Sequence, residues 1–198
     1  PEKVTLDNAA VVLNPNSPNQ QIPLLRQINV NSQQGQNPTY YEWAYMYSMI
    51  AACNSVLDVV ENVTFIQDGA TKKATIQAWA YWWKGFAYSH IGSIYYAGLI
   101  NNSAFATNGN YVTKEAVITE ATAQFDKCVT ALNSATNAAA YASVMEKLIP
   151  DFFQVGKGNI PTQEMWKRSI STMKARNILV NKTVATMSPS DWSAIVTL

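Results

Sequence analysis

Polar and apolar positions are distributed differently on the two sides of Pro38. Residues 1–37 are dominated by Asn, Gln and Pro, in runs such as LNPNSPNQQ and NVNSQQGQNP, with one apolar interruption from Ile22 to Ile28. This predicts an extended lead-in with at most one short helix, near Asp7 to Leu13. From Pro38 the apolar positions take helical spacing: Trp43, Tyr47, Ile50, Asn54 and Leu57 share one face, which predicts a helix from about Thr39 to Val63. After a Gln67-Asp68-Gly69 turn comes ATIQAWAYWWKGFAYSHIGSIYY, residues 74–96, apolar on nearly every face. A helix of that kind must be enclosed by other helices or by lipid. Lys84 and His90, with Gly85, Ser89 and Gly92 beside them, argue for helices, because a membrane span needs about 20 largely uncharged apolar residues. Ile76, Trp79, Trp83, Phe86, Ala87, His90 and Ile94 are expected to face one neighbour, with Trp82 and Tyr88 touching another. The tryptophans would then be a buried spine, and Trp83→Ala would leave the chain insoluble.

A polar loop is predicted from Ala97 to Tyr111, then a helix from Thr113 to about Ala135 with Ile118, Ala121, Phe125, Cys128 and Leu132 inward. Residues 138–149 predict a shorter helix with Tyr141, Met145 and Leu148 inward. Pro150 to Ile160, with Gly156 and Gly158, reads as loop. Pro161-Thr162 opens a fifth helix with Trp166, Ile170, Met173, Asn177 and Val180 on one side. Ser188-Pro189-Ser190-Asp191 has the form of a capping box and opens a sixth. No segment sustains period-two alternation, so no strands beyond a short ribbon are expected. The fold class is all-α, with 1–37 as lead-in and 38–198 as one helical domain. The absence of a signal peptide and the shortness of the last helix lead us to expect a fragment of a longer protein.

Composition narrows the function. Charged residues are 14% of the 198, against about 25% in an average protein, and Asn, Gln, Ser and Thr supply the polarity instead, which leans toward an exported protein. Net charge is +1 with the basic residues spread out, so no nucleic-acid footprint is present. Lys167, Arg168, Lys174, Arg176 and Lys182 lean one helix positive, which reads as a solvated face. Cys53 and Cys128 fall on apolar stripes and are expected to be buried free thiols; a disulfide would need their Cα atoms within about 7 Å.

No catalytic constellation is apparent. His90 is the single histidine, which removes His-based triads and His-pair metal sites, and on an apolar helix it reads as a core residue. Asp58 and Glu61 read as solvated surface. Gly156-Lys157-Gly158 lacks the spacing and the following Ser or Thr of a phosphate loop. We therefore expect neither an enzyme nor a cofactor or metal. Sugar recognition needs flat apolar faces and planar hydrogen-bonding groups. Arg26, Gln27, Asn29 and Asn31 would supply the second, and Tyr40 and Tyr41 the first.

Ala121-x3-Phe125-x2-Cys128 fits the second helix of a tetratricopeptide repeat, and Trp166 with Ile170 and Met173 fits the first helix less well. The long loop before residue 113 departs from a regular array, so TPR-like antiparallel pairs are expected. Trp43-x3-Tyr47-x2-Ile50-x3-Asn54-x2-Leu57, the aromatic helix ending at Ala87 to Tyr96 with Gly92, the stretch Glu115 to Leu132, and Lys174-Ala175-Arg176 stand in an order that resembles the SusD/RagB family of surface lipoproteins. The family's Arg-Ala pair in the second helix is missing here, and no Trp precedes the first long helix. The resemblance implies a non-catalytic protein at the outer-membrane surface, held by a lipid anchor outside this chain. It would capture oligosaccharide and pass it to a TonB-dependent transporter. The alternative from a different class is a TPR-like protein-interaction scaffold with no small-molecule ligand.

Overall fold

The structure, a computed structural model, describes residues 38–149 and 160–198. Among the described residues six helices run in chain order: α1 (Pro38–Asn62), α2 (Gly69–Ile94), α3 (Lys114–Ser134), α4 (Ala138–Leu148), α5 (Gln163–Asn181) and α6 (Pro189–Thr197). A two-stranded ribbon, β1 (Ala97–Leu99) with β2 (Tyr111–Thr113), joins α2 to α3, and a 3₁₀ turn (Val184–Thr186) precedes α6. The fold is all-α, and the described helices begin within a few residues of where the sequence predicts. The chain divides into two units between Tyr45 and Met46, inside α1.

Local signals set the helix starts. Thr113 caps α3 by accepting from the Ala116 N–H, Asn137 caps α4 from Ala139 and Ala140, and Thr162 caps α5 from Met165. The Ser188–Asp191 capping box forms in both directions, with Pro189 in the first turn of α6. α2 has no side-chain cap; Gln67 and Asp68 turn into it at φ 52° and 49°.

The core is built on close approach between α2 and α3. Small residues of α2 seven apart, Ala78, Gly85 and Gly92, meet Cys128, Phe125 and Ile118 of α3 in reverse order, so the two helices are antiparallel. A Cβ placed on Gly85 would lie 2.6 Å from the Phe125 ring, and one on Gly92 would lie 2.8 Å from Ile118. Hydrogen there is what lets the backbones meet. The Cys128 thiol donates to the Ala78 carbonyl at 3.1 Å, a bond that requires the same closeness.

The expected tryptophan spine is not what α2 buries. Its buried residues are mostly small, with Tyr88, Lys84 and Ile91 the large exceptions, while Trp79, Trp82, Trp83 and Phe86 are half-buried and Ile94 is 47% exposed. Trp83 stands edge-on to Trp79 and Phe86, and Trp82 lies against Phe125 and Trp166. The indoles flank the seam; Gly85 and Ala78 occupy it. Trp83→Ala therefore removes side packing, and the expected insolubility loses its basis. His90 is likewise half-buried, against the Phe86 ring at 4.4 Å.

The other helices attach to this pair. Glu61 of α1 reaches Lys73 and Gln77 of α2, both at 2.7 Å. α5 runs parallel to α2, joined by Asn177 to Ser89 at 2.8 Å and Asn181 to Ser93 at 3.1 Å. Gln163 caps the end of α3 by donating to the Leu132 and Ala135 carbonyls, and Tyr141 of α4 donates to Pro161. Trp166, Ile170 and Asn177 are buried as expected; Val180 is 49% exposed.

Candidate functional site

Of the predicted sugar contacts, Arg26, Gln27, Asn29 and Asn31 lie outside the described residues. Tyr40 and Tyr41 are on the first turn of α1 and are exposed, with ring centroids 5.8 Å apart. Tyr45, which sequence reasoning passed over, stacks on Tyr41 at 6.2 Å and is 63% exposed. The signal was its i, i+4 spacing from Tyr41, which puts both rings on one helix face.

A second aromatic site was not foreseen at all. It forms at the ribbon, which two buried or half-buried phenols hold in place. Tyr47 exchanges hydrogen bonds with Leu99, accepting from its N–H at 2.6 Å and donating to its carbonyl at 3.1 Å. Tyr88 does the same with Asn101, at 3.0 and 2.9 Å. Each hydroxyl thus satisfies both backbone groups that a neighbouring strand would have satisfied. Asn54 Nδ2 adds bonds to the Asn101 and Ser103 carbonyls, and Asn108 Nδ2 ties back to Ile100. The asparagine-rich loop is fixed by the Asn54 amide of α1 together with its own amides.

That anchoring presents Tyr96 and Tyr111, 94% and 66% exposed, at the edge of a groove of about 380 Å³. Thr113, Lys114 and Glu115 complete the part of its lining that carries polar groups. Glu115 is also the acid in the first turn of α3. The groove therefore offers two flat phenol faces, a carboxylate that accepts hydrogen bonds and an ammonium that donates them. Phe105, at φ 56° and 93% exposed, projects from the loop that follows β1.

Three strongly shifted titratable groups are buried in the helix packing and do not line this groove. Burial pushes the Lys84 ammonium down to about 8, with Lys127 acting the same way and Glu120 and Cys53 opposing. Burial pushes the Cys53 thiol up to about 11 and the Cys128 thiol up to about 12, so both are inert structural thiols, free as expected. Among the described residues no group of three His, Cys, Asp or Glu side chains could hold a metal ion, and no helix is long and apolar enough to cross a membrane. The chain matches no protein-family model, no curated protein and no solved structure.

Proposed function

We propose that this chain is a non-catalytic glycan-binding protein of SusD-like type, which captures oligosaccharide and delivers it to a TonB-dependent outer-membrane transporter. The ribbon groove carries this reading: exposed Tyr96 and Tyr111 beside Glu115 and Lys114, on a loop held rigid by Tyr47 and Tyr88. Pyranose rings stack on flat aromatic faces, and paired hydroxyls bond to carboxylates. A rigid mount reduces the ordering cost of binding. Tyr40, Tyr41 and Tyr45 are a further aromatic face of the same chemistry.

Affinity electrophoresis of the full chain against a panel of soluble polysaccharides tests the proposal. At least one glycan is expected to retard the protein, and Tyr96→Ala with Tyr111→Ala should weaken that retardation about tenfold or more, which corresponds to roughly 1.4 kcal/mol. A double variant retarded as strongly as wild type would remove the groove from the account. The second reading, a scaffold that binds protein alone, is favoured by the bare Phe105 ring, and it predicts no retardation by any glycan.

A further inference from the structure

A cavity of about 560 Å³ lies between α3, α5 and α6, within the size range of small-molecule sites. Ile118, Ile178, Ala194 and Leu198 give it apolar walls. Asn177, 2% exposed, is part of its lining, and the orientation of its amide is dictated by neighbours. Ser89 spends its hydroxyl proton on the Gly85 carbonyl at 2.8 Å, so toward Asn177 it accepts only. Asn177 must therefore turn Nδ2 to Ser89, at 2.8 Å, and its buried Oδ1 has no hydrogen-bond partner among the described residues. Asn181, also lining the cavity, repeats the pattern. Its Nδ2 donates to Ser93 and to the Asn177 carbonyl, which again leaves the amide oxygen as the unused group.

The polar lining contributed by α5 amides is thus acceptor-only. A buried acceptor without a partner keeps its desolvation penalty, which a ligand donor would relieve. The charged groups at the cavity are Lys114, Lys174 and Lys182 against Glu115 and Asp191. Lys174 is paired with Asp126 and Lys182 with Asp191. That leaves Lys114 and Glu115 in balance, so the lining has no net charge that would draw an ion. We infer that this cavity is a binding site for a neutral, largely apolar molecule carrying one hydroxyl or N–H donor, which bonds to Asn177 Oδ1. This site is separate from the glycan groove, although Lys114 and Glu115 border both.

The test uses 2-naphthol and 2-methoxynaphthalene, which share an apolar body and differ in the donor. Amide chemical shifts of the full chain are followed as each is added. The expected result is saturable binding of 2-naphthol with shifts centred on Ile118, Ile178 and Ala194, at least about tenfold tighter than 2-methoxynaphthalene. Ala194→Trp, a change at an exposed position that fills the cavity, should abolish binding of both. Ser89→Ala, which frees the Asn177 amide to reverse, and Asn177→Leu should each erase the preference for 2-naphthol; either variant suffices if the other fails to fold. Equal affinity for the two compounds, shifts centred elsewhere, or unchanged binding by Ala194→Trp would overturn the inference.

Discussion

α3 has two sides that are packed in opposite ways. Toward α2 it has no spare volume: the Phe125 ring is packed so close to Gly85 that a Cβ there would meet it at 2.6 Å, and the Cys128 thiol reaches the Ala78 carbonyl. Toward α5 and α6 the same helix, through Ile118 and Thr122, borders a cavity of about 560 Å³. Side-chain size at the seam makes the difference. Glycine and alanine every seventh residue let two backbones close, whereas α5 meets its neighbours through the amides Asn177 and Asn181 and leaves room beside them. The closed side supplies stability, and the open side is free to take a ligand at small structural cost.

The largest way to break this contrast is to enlarge the closed side. Gly85→Val should destabilise by about 3 kcal/mol, because the added atoms fall within the Phe125 ring and the core has no room to relax. Urea unfolding measures this, and a midpoint equal to wild type would show that the seam yields.

A smaller change sharpens the contrast through charge. Lys84 is 2% exposed on the packed helix, and its ammonium is held near 8 against 10.5 for an ordinary lysine. Between those pH values the unfolded chain binds the extra proton, so the residue's contribution to stability rises with pH from about 8 to 10.5; below about 8 the full burial penalty applies. Lys84→Met should therefore be more stable than wild type by about 1–2 kcal/mol at pH 7. The gain should shrink toward zero by pH 10.5, as read from urea midpoints at several pH values. A gain that is constant across this range would mean that the ammonium is solvated.

Much of the helical framework was legible because its signals are local. Ser188-Pro189-Ser190-Asp191, Thr113 and Thr162 satisfy N–H groups within three residues of themselves, so they act the same way in any tertiary setting. The face of α2 that turns inward was not legible. Aromatic residues recur at helical spacing around most of its circumference, and the choice of Ala78, Gly85 and Gly92 as the seam was made by Phe125 and Ile118, more than twenty residues away. The seven-residue spacing of those small residues was visible, but bulk drew attention to the indoles. The ribbon groove was hidden for a related reason: Tyr96 and Tyr111 are brought together by bonds such as Tyr47 to Leu99, 52 residues apart in sequence. Asn177 was correctly placed on the inward side, yet its unused oxygen depends on what Ser89 does with its proton.

The smallest expected effect gives the most direct test of the two-sided account of α3. Ala194→Trp places an indole into the cavity from an exposed position of α6, where a well-packed interface would not admit it. Its urea midpoint, measured beside Gly85→Val, is predicted to differ from wild type by no more than about 0.5 kcal/mol. A loss of about 2 kcal/mol or more for Ala194→Trp, comparable to that of the glycine variant, would mean that both sides of α3 are closed and would contradict the account.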